Sequence, residues 1–483
     1  MTRRVFLAGA APGLVRAARP KLEQGVQIGD VTAGRAVVWS RADRPSRLVV
    51  EWSTVESMRG ARRVQGPWAT TETGLTARLD LTRLPSGQTV FVRAKFVDGK
   101  DESEPVSGRF RSVAGADRDV RFLWSGDTCG QGYGINPELG GMRIYDTMRR
   151  TGPDFFIHSG DTIYADNPIP AEIKLPNGTL WHNLTTEAKS HAAATLDDFR
   201  GAYLYNLMDA NVRAFGSEVP QIWQWDDHEV VNNGAPARDV SRRVAPARQA
   251  FLEFAPMRER RIYRRVGYGP LLDVFVIDMR TYRAGNSYNR QDAEGSQTVF
   301  LGREQLLWLE REMRASKAAW KVVAADMPLG LLVGDGKDAQ GRPMFEAVAN
   351  GDGPALGREL EIAGLLRAIK QVRNVVWLTA DVHYTAAHYY DPATAQFQDF
   401  TGFWEFVSGP LNAGTFGPGQ LDNTFGPKVV FSKAPPKGQA NLPPSAGYQF
   451  FGEVVIESAS RDMVVTLRDI SGAALFTQRI VAA

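Results

Sequence analysis

The stretch Phe155-Phe156-Ile157-His158-Ser159-Gly160-Asp161 is a short apolar run that ends in an aspartate, and the same arrangement recurs five more times along the chain. A continuous apolar run of this length is typical of a buried strand. The six runs with their aspartates are 120–125 with Asp127, 155–159 with Asp161, 221–225 with Asp226 and Asp227, 271–277 with Asp278, 321–325 with Asp326, and 374–380 with Asp381. The sequence therefore predicts six buried strands, each followed by a carboxylate.

Apolar residues with helical spacing lie between these runs, at Met142-Tyr145-Met148, Leu306-Leu309-Met313 and Leu356-Leu360-Ile369. Strands that alternate with helices indicate an α/β fold, in which helices cover a mainly parallel or mixed sheet. Residues 166–200 interrupt the alternation with three prolines and few apolar residues. We interpret this segment as an insertion or lid.

The N-terminal part of the chain has a different pattern, of short strands separated by turns. Val90, Val92, Ala94 and Phe96 alternate along one strand and would form one apolar face. Several short strands of this kind predict a β-sandwich of roughly 90 residues. We expect a small fibronectin-III-like sandwich at 23–114, a linker at 112–118 and a larger α/β domain at 118–483.

The overall composition excludes several classes of protein. Hydrophobic residues make up 43% and charged residues 23% of the 483 residues, so the chain is not intrinsically disordered. A net charge of +3 gives no basic surface for nucleic acid. No apolar run approaches the ~18 residues of a transmembrane helix, so no transmembrane anchor is predicted. A single cysteine cannot form an intramolecular disulfide.

Residues 1–22 have the features of a secretory signal. Arg3 and Arg4 precede Val5-Phe6-Leu7, and an apolar stretch at 6–15 is followed by small residues. The paired arginines are typical of a twin-arginine signal, which is read by the machinery that exports folded proteins. We therefore expect a periplasmic or extracellular protein, the alternative being a disordered basic tail.

The strand-end aspartates predict a metal site. Carboxyl ends of parallel strands meet at one edge of a sheet, and carboxylates gathered there repel one another unless cations neutralise them. The alternative is that each aspartate caps the following helix. Four aspartates are, however, followed closely by a second side chain that can bind a metal: Cys129, Tyr164, His228 and His383. A cap needs no such companion, so we predict a site with more than one metal ion.

The available ligands limit the choice of metal. Six histidines and one cysteine exclude a histidine-rich or all-cysteine zinc site. Carboxylates with a phenol and a thiol favour iron, manganese or calcium. Tyr164 as a ligand would favour Fe(III), because phenolate is a hard anionic donor. Cys129 is equally well explained as a buried, inert residue.

Three motifs resemble the signatures of the PhoD-type alkaline phosphatases, a branch of the calcineurin-like metallophosphoesterases that shares an iron-binding tyrosine with purple acid phosphatases. They are Gly160-Asp161-x-x-Tyr164, Asp226-Asp227-His228-Glu229-Val230-x-Asn232-Asn233 and Ala380-Asp381-Val382-His383. The resemblance covers nearly the whole chain, because that family also places a small β-sandwich before its catalytic domain. It implies a metallophosphoesterase-type mixed-sheet α/β sandwich and a secreted phosphoester hydrolase.

The resemblance also implies the metals and their ligands. Fe(III) is expected together with a second divalent metal: Ca, Mn or Zn. Asp161 would bridge the two ions, and Tyr164 would bind the iron. Asp227 matches a ligand of the second metal, while Asp381 and His383 would each bind one of the two ions.

The same resemblance implies roles for further residues. Asp326 lies where the superfamily usually has a metal-binding histidine, so it would serve the second metal. His228 matches the position that contacts substrate phosphate. The first motif departs from the family, in which a cysteine ligand directly follows the strand. Here Asp127 ends the strand and Cys129 lies two residues later, so either or both could bind the first metal.

Hydrolysis of a phosphate mono- or diester is the expected reaction, because two cations polarise the ester and activate a bound water. Arg280 is predicted to contact phosphate or, alternatively, to pair with Asp278. Two other functions stay open: a phospholipase D-like phosphodiesterase acting on phospholipid or cell-wall polymer, and a non-catalytic secreted metal-binding protein. A dinucleotide site is disfavoured, because Gly130-Gln131-Gly132-Tyr133-Gly134 lacks the required glycine spacing.

Overall fold

The computed structural model describes residues 19–234 and 241–483. The strands are β1 (Val26–Thr32), β2 (Arg35–Arg41), β3 (Ser46–Ser53), β4 (Arg62–Ala69), β5 (Thr76–Thr82), β6 (Thr89–Asp98), β7 (Asp101–Glu102), β8 (Val106–Arg111), β9 (Val120–Ser125), β10 (Phe155–Ser159), β11 (Glu172–Lys174), β12 (Leu180–His182), β13 (Gln221–Gln224), β14 (Arg264–Tyr268), β15 (Leu272–Val276), β16 (Trp320–Ala324), β17 (Gly334–Lys337), β18 (Pro343–Phe345), β19 (Val375–Thr379), β20 (Thr385–Tyr390), β21 (Phe403–Val407), β22 (Pro427–Lys433), β23 (Phe450–Ile456), β24 (Met463–Asp469) and β25 (Ala474–Ile480). The helices are α1 (Arg143–Arg150), α2 (Leu196–Asn206), α3 (Ala210–Glu218), α4 (Ser241–Phe254), α5 (Arg303–Ala315) and α6 (Glu359–Ile369).

The six predicted strands form the centres of two mixed sheets. In the first sheet, of order β25-β24-β23-β9-β10-β13-β1-β2-β5, strands β9, β10 and β13 are parallel. In the second, of order β14-β15-β16-β19-β21-β20-β22, strands β15, β16 and β19 are parallel. The carboxyl ends of these strands therefore carry the predicted aspartates, and the expected mixed-sheet α/β sandwich is confirmed.

The two sheets pack against each other through one continuous core. Buried side chains from both sheets belong to it, among them Phe122, Trp124, Ile157, Val274, Val322 and Leu378. Helices cover the outer faces, because successive residues of a strand point to opposite sides. Leu123 and Phe156 pack with α1, whereas Phe275 and Trp377 pack with α5 and α6.

The N-terminal β-sandwich is built partly from the first of these sheets. Strands β3, β4, β6, β7 and β8 form a separate antiparallel sheet, and the predicted apolar face of β6 is buried at Val90, Val92, Ala94 and Phe96. Strands β1, β2 and β5 instead continue the first sheet, since β1 pairs in parallel with β13 at Gly29 and Gln221. Hydrogen bonding between β1 and β13 thus crosses the predicted boundary between the two domains. The division of the chain into these two domains stays a prediction.

The predicted insertion at 166–200 contains the small hairpin β11–β12 and leads into α2. Within residues 19–234 and 241–483, no helix is both long and apolar enough to cross a membrane. The arginines and the apolar stretch of the predicted signal lie outside the described residues.

Candidate metal centre

Three of the aspartates that follow the parallel strands have a strained backbone conformation. Asp127, Asp161 and Asp381 have positive φ angles of 67°, 50° and 67°. This left-handed region is unfavourable for residues with a side chain, and such strain is found mostly at functional sites. Each of these residues is the first acidic residue beyond its strand, so the strained turn directs the carboxylate into the space where the strand ends meet.

A first cluster consists of Asp127, Asp161 and His383, whose ligand atoms lie within 4.8 Å of one another. Nδ1 of His383 donates to the carbonyl of Gly414, so Nε2 carries a lone pair. That nitrogen lies 2.8 Å from the Tyr164 hydroxyl and 3.9 Å from Asp127 Oδ1. Both carboxylate oxygens of Asp127 are buried without a hydrogen-bond partner, which is costly unless a cation is bound.

A second cluster consists of Asp161, Asp227 and His228, with ligand atoms again within 4.8 Å. The main-chain N–H of His228 donates to Asp161 Oδ1 at 3.1 Å and to Asp227 Oδ1 at 2.8 Å. Asp161 therefore belongs to both clusters. A carboxylate in this place can reach two cations at once.

His228 is paired with Asp166, a carboxylate that the strand-end pattern does not predict. Its Nδ1 lies 2.6 Å from Asp166 Oδ1, and Asp166 Oδ2 accepts a hydrogen bond from Asn232 N at 2.8 Å. Burial lowers the pKa of His228, but Asp227 and Asp166 outweigh burial and raise the pKa to about 9. Asp166 follows Tyr164 by only two residues, and this short spacing is the feature of the sequence that could have indicated its place in the centre.

A third cluster, Asp226 with Asp227 and Asp381, lies beside the buried guanidinium of Arg280. The four carboxylates that pair with Arg280 are those of Asp226 at 2.5 Å, Asp326 at 3.1 Å, Asp381 at 3.5 Å and Glu346. The guanidinium is thus directed at protein carboxylates. The prediction that Arg280 contacts phosphate is not supported by this geometry.

Two strand-end aspartates, Asp278 and Asp326, lie outside the three clusters found among the described residues. Asp278 Oδ1 accepts hydrogen bonds from Trp225 Nε1 at 3.1 Å and from the main-chain N–H groups of Arg280 and Thr281. Asp278 thus lies beside the neighbouring strand end, but its carboxylate caps its own turn, and the alternative ion pair with the Arg280 guanidinium is not formed. Asp326 pairs with Arg280 and belongs to none of the three clusters among the described residues.

Cys129 lies in an apolar environment behind the first strand-end loop. Its Sγ is 3.5 Å from Met142 Sδ and 3.8 Å from Asn412 Nδ2, and burial raises the pKa of the thiol. Within the described parts of the chain, Cys129 joins no group of three potential ligands. The structure therefore favours Asp127 over Cys129 as the ligand from the first strand.

Tyr164 is held in place by packing and by a buried lysine. A Cβ atom on Gly130 would lie 2.5 Å from three atoms of the Tyr164 ring, so only glycine fits there. Lys189 Nζ donates to the main-chain carbonyls of Tyr164 and Asn167. Burial, and then the carboxylate of Asp161, raise the pKa of the Tyr164 phenol, so a bound cation is needed to deprotonate it.

Glu229, inside the motif 226–233, joins two strand-end loops. Its buried carboxylate accepts hydrogen bonds from the main-chain N–H groups of Asp161 at 3.1 Å, Thr162 at 2.6 Å and Asp226 at 2.7 Å. This role of Glu229 is not predictable from the motif, because it depends on contacts with a loop 67 residues away. The motif therefore contains a structural anchor as well as potential metal ligands.

The charges of the centre do not balance without cations. Burial and the neighbouring carboxylates raise the pKa values of Asp127, Asp161, Asp226 and Asp381 well above the usual range. His228 opposes this rise at Asp127, and Arg280 opposes it at Asp226 and Asp381. The unpartnered oxygens of Asp127 and Asp226, with carboxylate, imidazole and phenol donors, fit hard or borderline metal ions.

Solved structures share this architecture. A structure of PhoD matches over 98% of this chain and 94% of its own length, with a TM-score of 0.71 and 20% identity. Purple acid phosphatase PPD1 from yellow lupin (Lupinus luteus) seeds matches over 94% of this chain and 74% of its own length, with a TM-score of 0.55 and 13% identity. Both comparisons support the fold.

Sequence comparison gives the family. Alkaline phosphatase D of Bacillus subtilis (strain 168) is 31% identical in an alignment of 268 residues that covers 51% of this chain and 44% of that relative's length. The N-terminal domain model of the PhoD-like phosphatases matches residues 9–114. The main model of the same family matches residues 122–467, well over half of the sequence. The chain therefore belongs to the PhoD-like phosphatase family.

Proposed function

We propose that the chain is a metal-dependent phosphoester hydrolase. The observation that carries this proposal is the place of Asp161, whose carboxylate belongs to the cluster with Asp127 and His383 and also lies beside Asp227 on its other side. A two-metal centre needs such a shared carboxylate. Membership of the PhoD-like phosphatase family supports phosphoesters as the substrate class.

The residues proposed to hold the metals divide into two sets. Asp127, Asp161, Tyr164 and His383 would hold one ion, and the phenol makes Fe(III) the proposed occupant. Asp161, Asp227 and Asp381 would hold a second, divalent ion: Ca, Mn or Zn. Bound there, the metals would supply Lewis acidity for a phosphoester and lower the pKa of a water molecule.

The chain's own groups would position substrate and move a proton. His228 Nδ1 is engaged with Asp166, so Nε2 is the donor that would hydrogen-bond a phosphate oxygen or protonate the leaving group. The raised pKa of about 9 keeps this imidazole protonated at neutral pH. Arg280 would balance the charges of Asp226, Asp326 and Glu346 and thereby fix the wall of the centre.

Hydrolysis of p-nitrophenyl phosphate and of bis-p-nitrophenyl phosphate by Asp161→Asn tests the proposal. The substitution removes the shared charge and keeps the shape, so kcat should fall by orders of magnitude. Asp278→Asn is the matched control, because Asp278 also ends a strand but only caps a turn. A near wild-type rate for Asp161→Asn at saturating metal would contradict the proposal.

The same two substrates separate the alternatives. A preference for the diester would favour the phospholipase D-like phosphodiesterase, and a preference for the monoester the phosphatase. Wild-type protein that binds metal but hydrolyses neither substrate would favour a non-catalytic metal-binding protein.

We also propose that residues 1–22 direct export of the folded protein by the twin-arginine machinery. Support comes from Arg3 and Arg4 ahead of an apolar stretch. Replacing both arginines with lysine should trap the folded precursor in the cytoplasm, as cell fractionation would show. Unimpaired secretion of the double variant would point to another route.

A further inference from the structure

His158 is a buried polar residue near the metal centre to which the proposed function assigns no role. It lies on β10, three residues before Asp161, and is 3% exposed. Its ring centroid lies 5.7 Å from that of Phe156 and 6.1 Å from that of Trp223. Burial lowers the pKa of His158 to about 3, so the imidazole is neutral. A neutral polar group among aromatic rings is costly unless it forms a hydrogen bond.

The imidazole forms its hydrogen bond with the loop that follows β9. His158 Nε2 lies 3.0 Å from Thr128 Oγ1, which in turn lies 2.8 Å from the hydroxyl of Tyr145 on α1. A hydroxyl can donate one hydrogen bond and accept another, so the three side chains form a single buried chain. The other ring nitrogen, Nδ1, has no hydrogen-bond partner among the described residues, so Thr128 is the partner that fixes the imidazole.

Thr128 is placed to hold two loops that carry proposed metal ligands. It directly follows Asp127, and its main-chain N–H donates to the carbonyl of Asp161 at 2.8 Å. Asp127 and Cys129, on either side of it, have positive φ angles of 67° and 59°. A backbone that is strained at two positions keeps its conformation only when the surrounding contacts fix it. The buried hydroxyl of Thr128 supplies such a contact at the residue between them.

We propose that His158 is a positioning residue of the metal centre. It acts through Thr128, whose loop holds the carboxylates of Asp127 and Asp161 at the separation that metal binding requires. This inference rests on the proposed function, in which both carboxylates bind metal. Among the described residues, His158 belongs to none of the three ligand clusters, so its role is to orient the ligands and not to bind an ion. Removing an outer hydrogen-bond partner of this kind typically lowers metal affinity or activity by about 10-fold to 100-fold.

Metal affinity of the full chain tests the proposal, measured as the EDTA concentration at which the protein loses half of its bound metal. His158→Phe keeps a ring and removes the hydrogen bond, whereas Thr128→Val removes the hydroxyl and keeps the shape. Each variant should bind metal about 10-fold to 100-fold more weakly than the wild type, and kcat for p-nitrophenyl phosphate should fall as well. Thr128→Ser keeps the hydroxyl and should recover most of the affinity. Thr466→Val is the matched control, because it removes a buried hydroxyl on β24 that lies 3.3 Å from Thr477 Oγ1.

The double variant His158→Phe/Thr128→Val separates positioning from a general loss of stability. If His158 acts through Thr128, the double variant should bind metal no more weakly than either single variant, because all three lack the same hydrogen bond. Additive losses, or a lower Tm with wild-type metal affinity in His158→Phe, would overturn the proposal.

A second pair of variants serves if His158→Phe does not fold. His158→Met and His158→Gln have side chains of nearly equal length, and only the amide can hydrogen-bond Thr128, so metal affinity should be lower in His158→Met. Equal affinities would overturn the proposal. A wild type that binds metal but does not hydrolyse p-nitrophenyl phosphate would instead contradict the proposed function, and the comparison of metal affinities would still decide the role of His158.

Discussion

The carboxylate of Asp161 has acidic neighbours on both sides, and its backbone is held at a φ of 50°. This conformation is strained, but aspartate tolerates it better than most residues do. Glu229 stabilises the turn by accepting the Asp161 N–H. A residue that is both strained and surrounded by like charges lowers the free energy of unfolding unless cations bind. The conformation of Asp161 is therefore better explained by metal binding than by a contribution to the stability of the fold.

The metal contents of Asp127→Asn and Cys129→Ala show which of these two residues, both in the loop after β9, binds a metal ion. Asp127→Asn should lose metal and activity together, because it removes a carboxylate whose two oxygens have no other partner. Cys129→Ala should keep its metal and lose about 1 kcal/mol of stability, an ordinary cost for a small cavity. Loss of metal from Cys129→Ala alone would show that the thiol is the ligand after all.

Asp166→Asn tests how His228 is tuned. Since Asp166 helps to raise the pKa of His228, removing its charge lowers that pKa. The protonated imidazole is the active form, so activity lost with rising pH should be lost at a lower pH in the variant. The pH profile of kcat measures this shift, with Asp197→Asn as an exposed control on α2. An unchanged alkaline limb would contradict the role of His228 as the proton donor.

The position of the loop after β10 depends on the neighbouring loops that pack against it. Tyr164 projects from this loop against Gly130, in the loop after β9, and Lys189 binds two of its carbonyls from the insertion. The insertion at 166–200 therefore supports a ligand-bearing loop through Lys189. It also supplies Asp166, the partner of His228.

Gly130→Ala should displace Tyr164, because the added Cβ would meet the ring at 2.5 Å. If the phenol binds Fe(III), the protein is coloured, and the variant should lose or shift the visible absorption band and lose iron. Gly364→Ala, in helix α6 with open space around it, is the control and should keep both. An unchanged spectrum in Gly130→Ala would contradict the role of Tyr164.

Much of this arrangement was predictable from local sequence, and the rest was not. The parallel strands, Asp161, Asp227, Asp381 and His383 follow from apolar runs and from residues directly beyond them. Asp278 shows the limit of that argument, because whether a strand-end carboxylate caps its turn or faces the centre depends on contacts such as Trp225 Nε1. The same holds for Arg280, whose four carboxylate partners come from four separate segments.

The N-terminal strands share a sheet and a core with the strands that carry the metal centre. Residues of β1, β2, β3 and β6 belong to the same buried cluster as residues of the six central strands. Asp30 of β1 also forms a buried ion pair with Arg264 of β14 at 2.8 Å, each side chain being 2% exposed. The sequence indicated a sandwich but not this continuity, because pairing between distant strands leaves no local pattern.

Unfolding should reflect this shared core. We expect calorimetry to show one cooperative transition for the sandwich and the α/β part together. Arg264→Met should lower the free energy of that transition by about 3–5 kcal/mol, because it leaves Asp30 buried and uncompensated. Arg35→Met, which removes an exposed pair with Asp80, should cost less than about 1 kcal/mol. Two separate transitions in the wild type would contradict the shared core.

Metal analysis of protein purified without added metal, with hydrolysis of p-nitrophenyl phosphate measured in parallel, tests whether the chain is a two-metal phosphoester hydrolase. Two metal ions per chain at the centre, one of them iron, are predicted for the wild type. Asp161→Asn should lose metal and activity together, since its carboxylate is shared by both clusters. Full activity in a chelated wild type with less than one metal ion per chain would contradict the account.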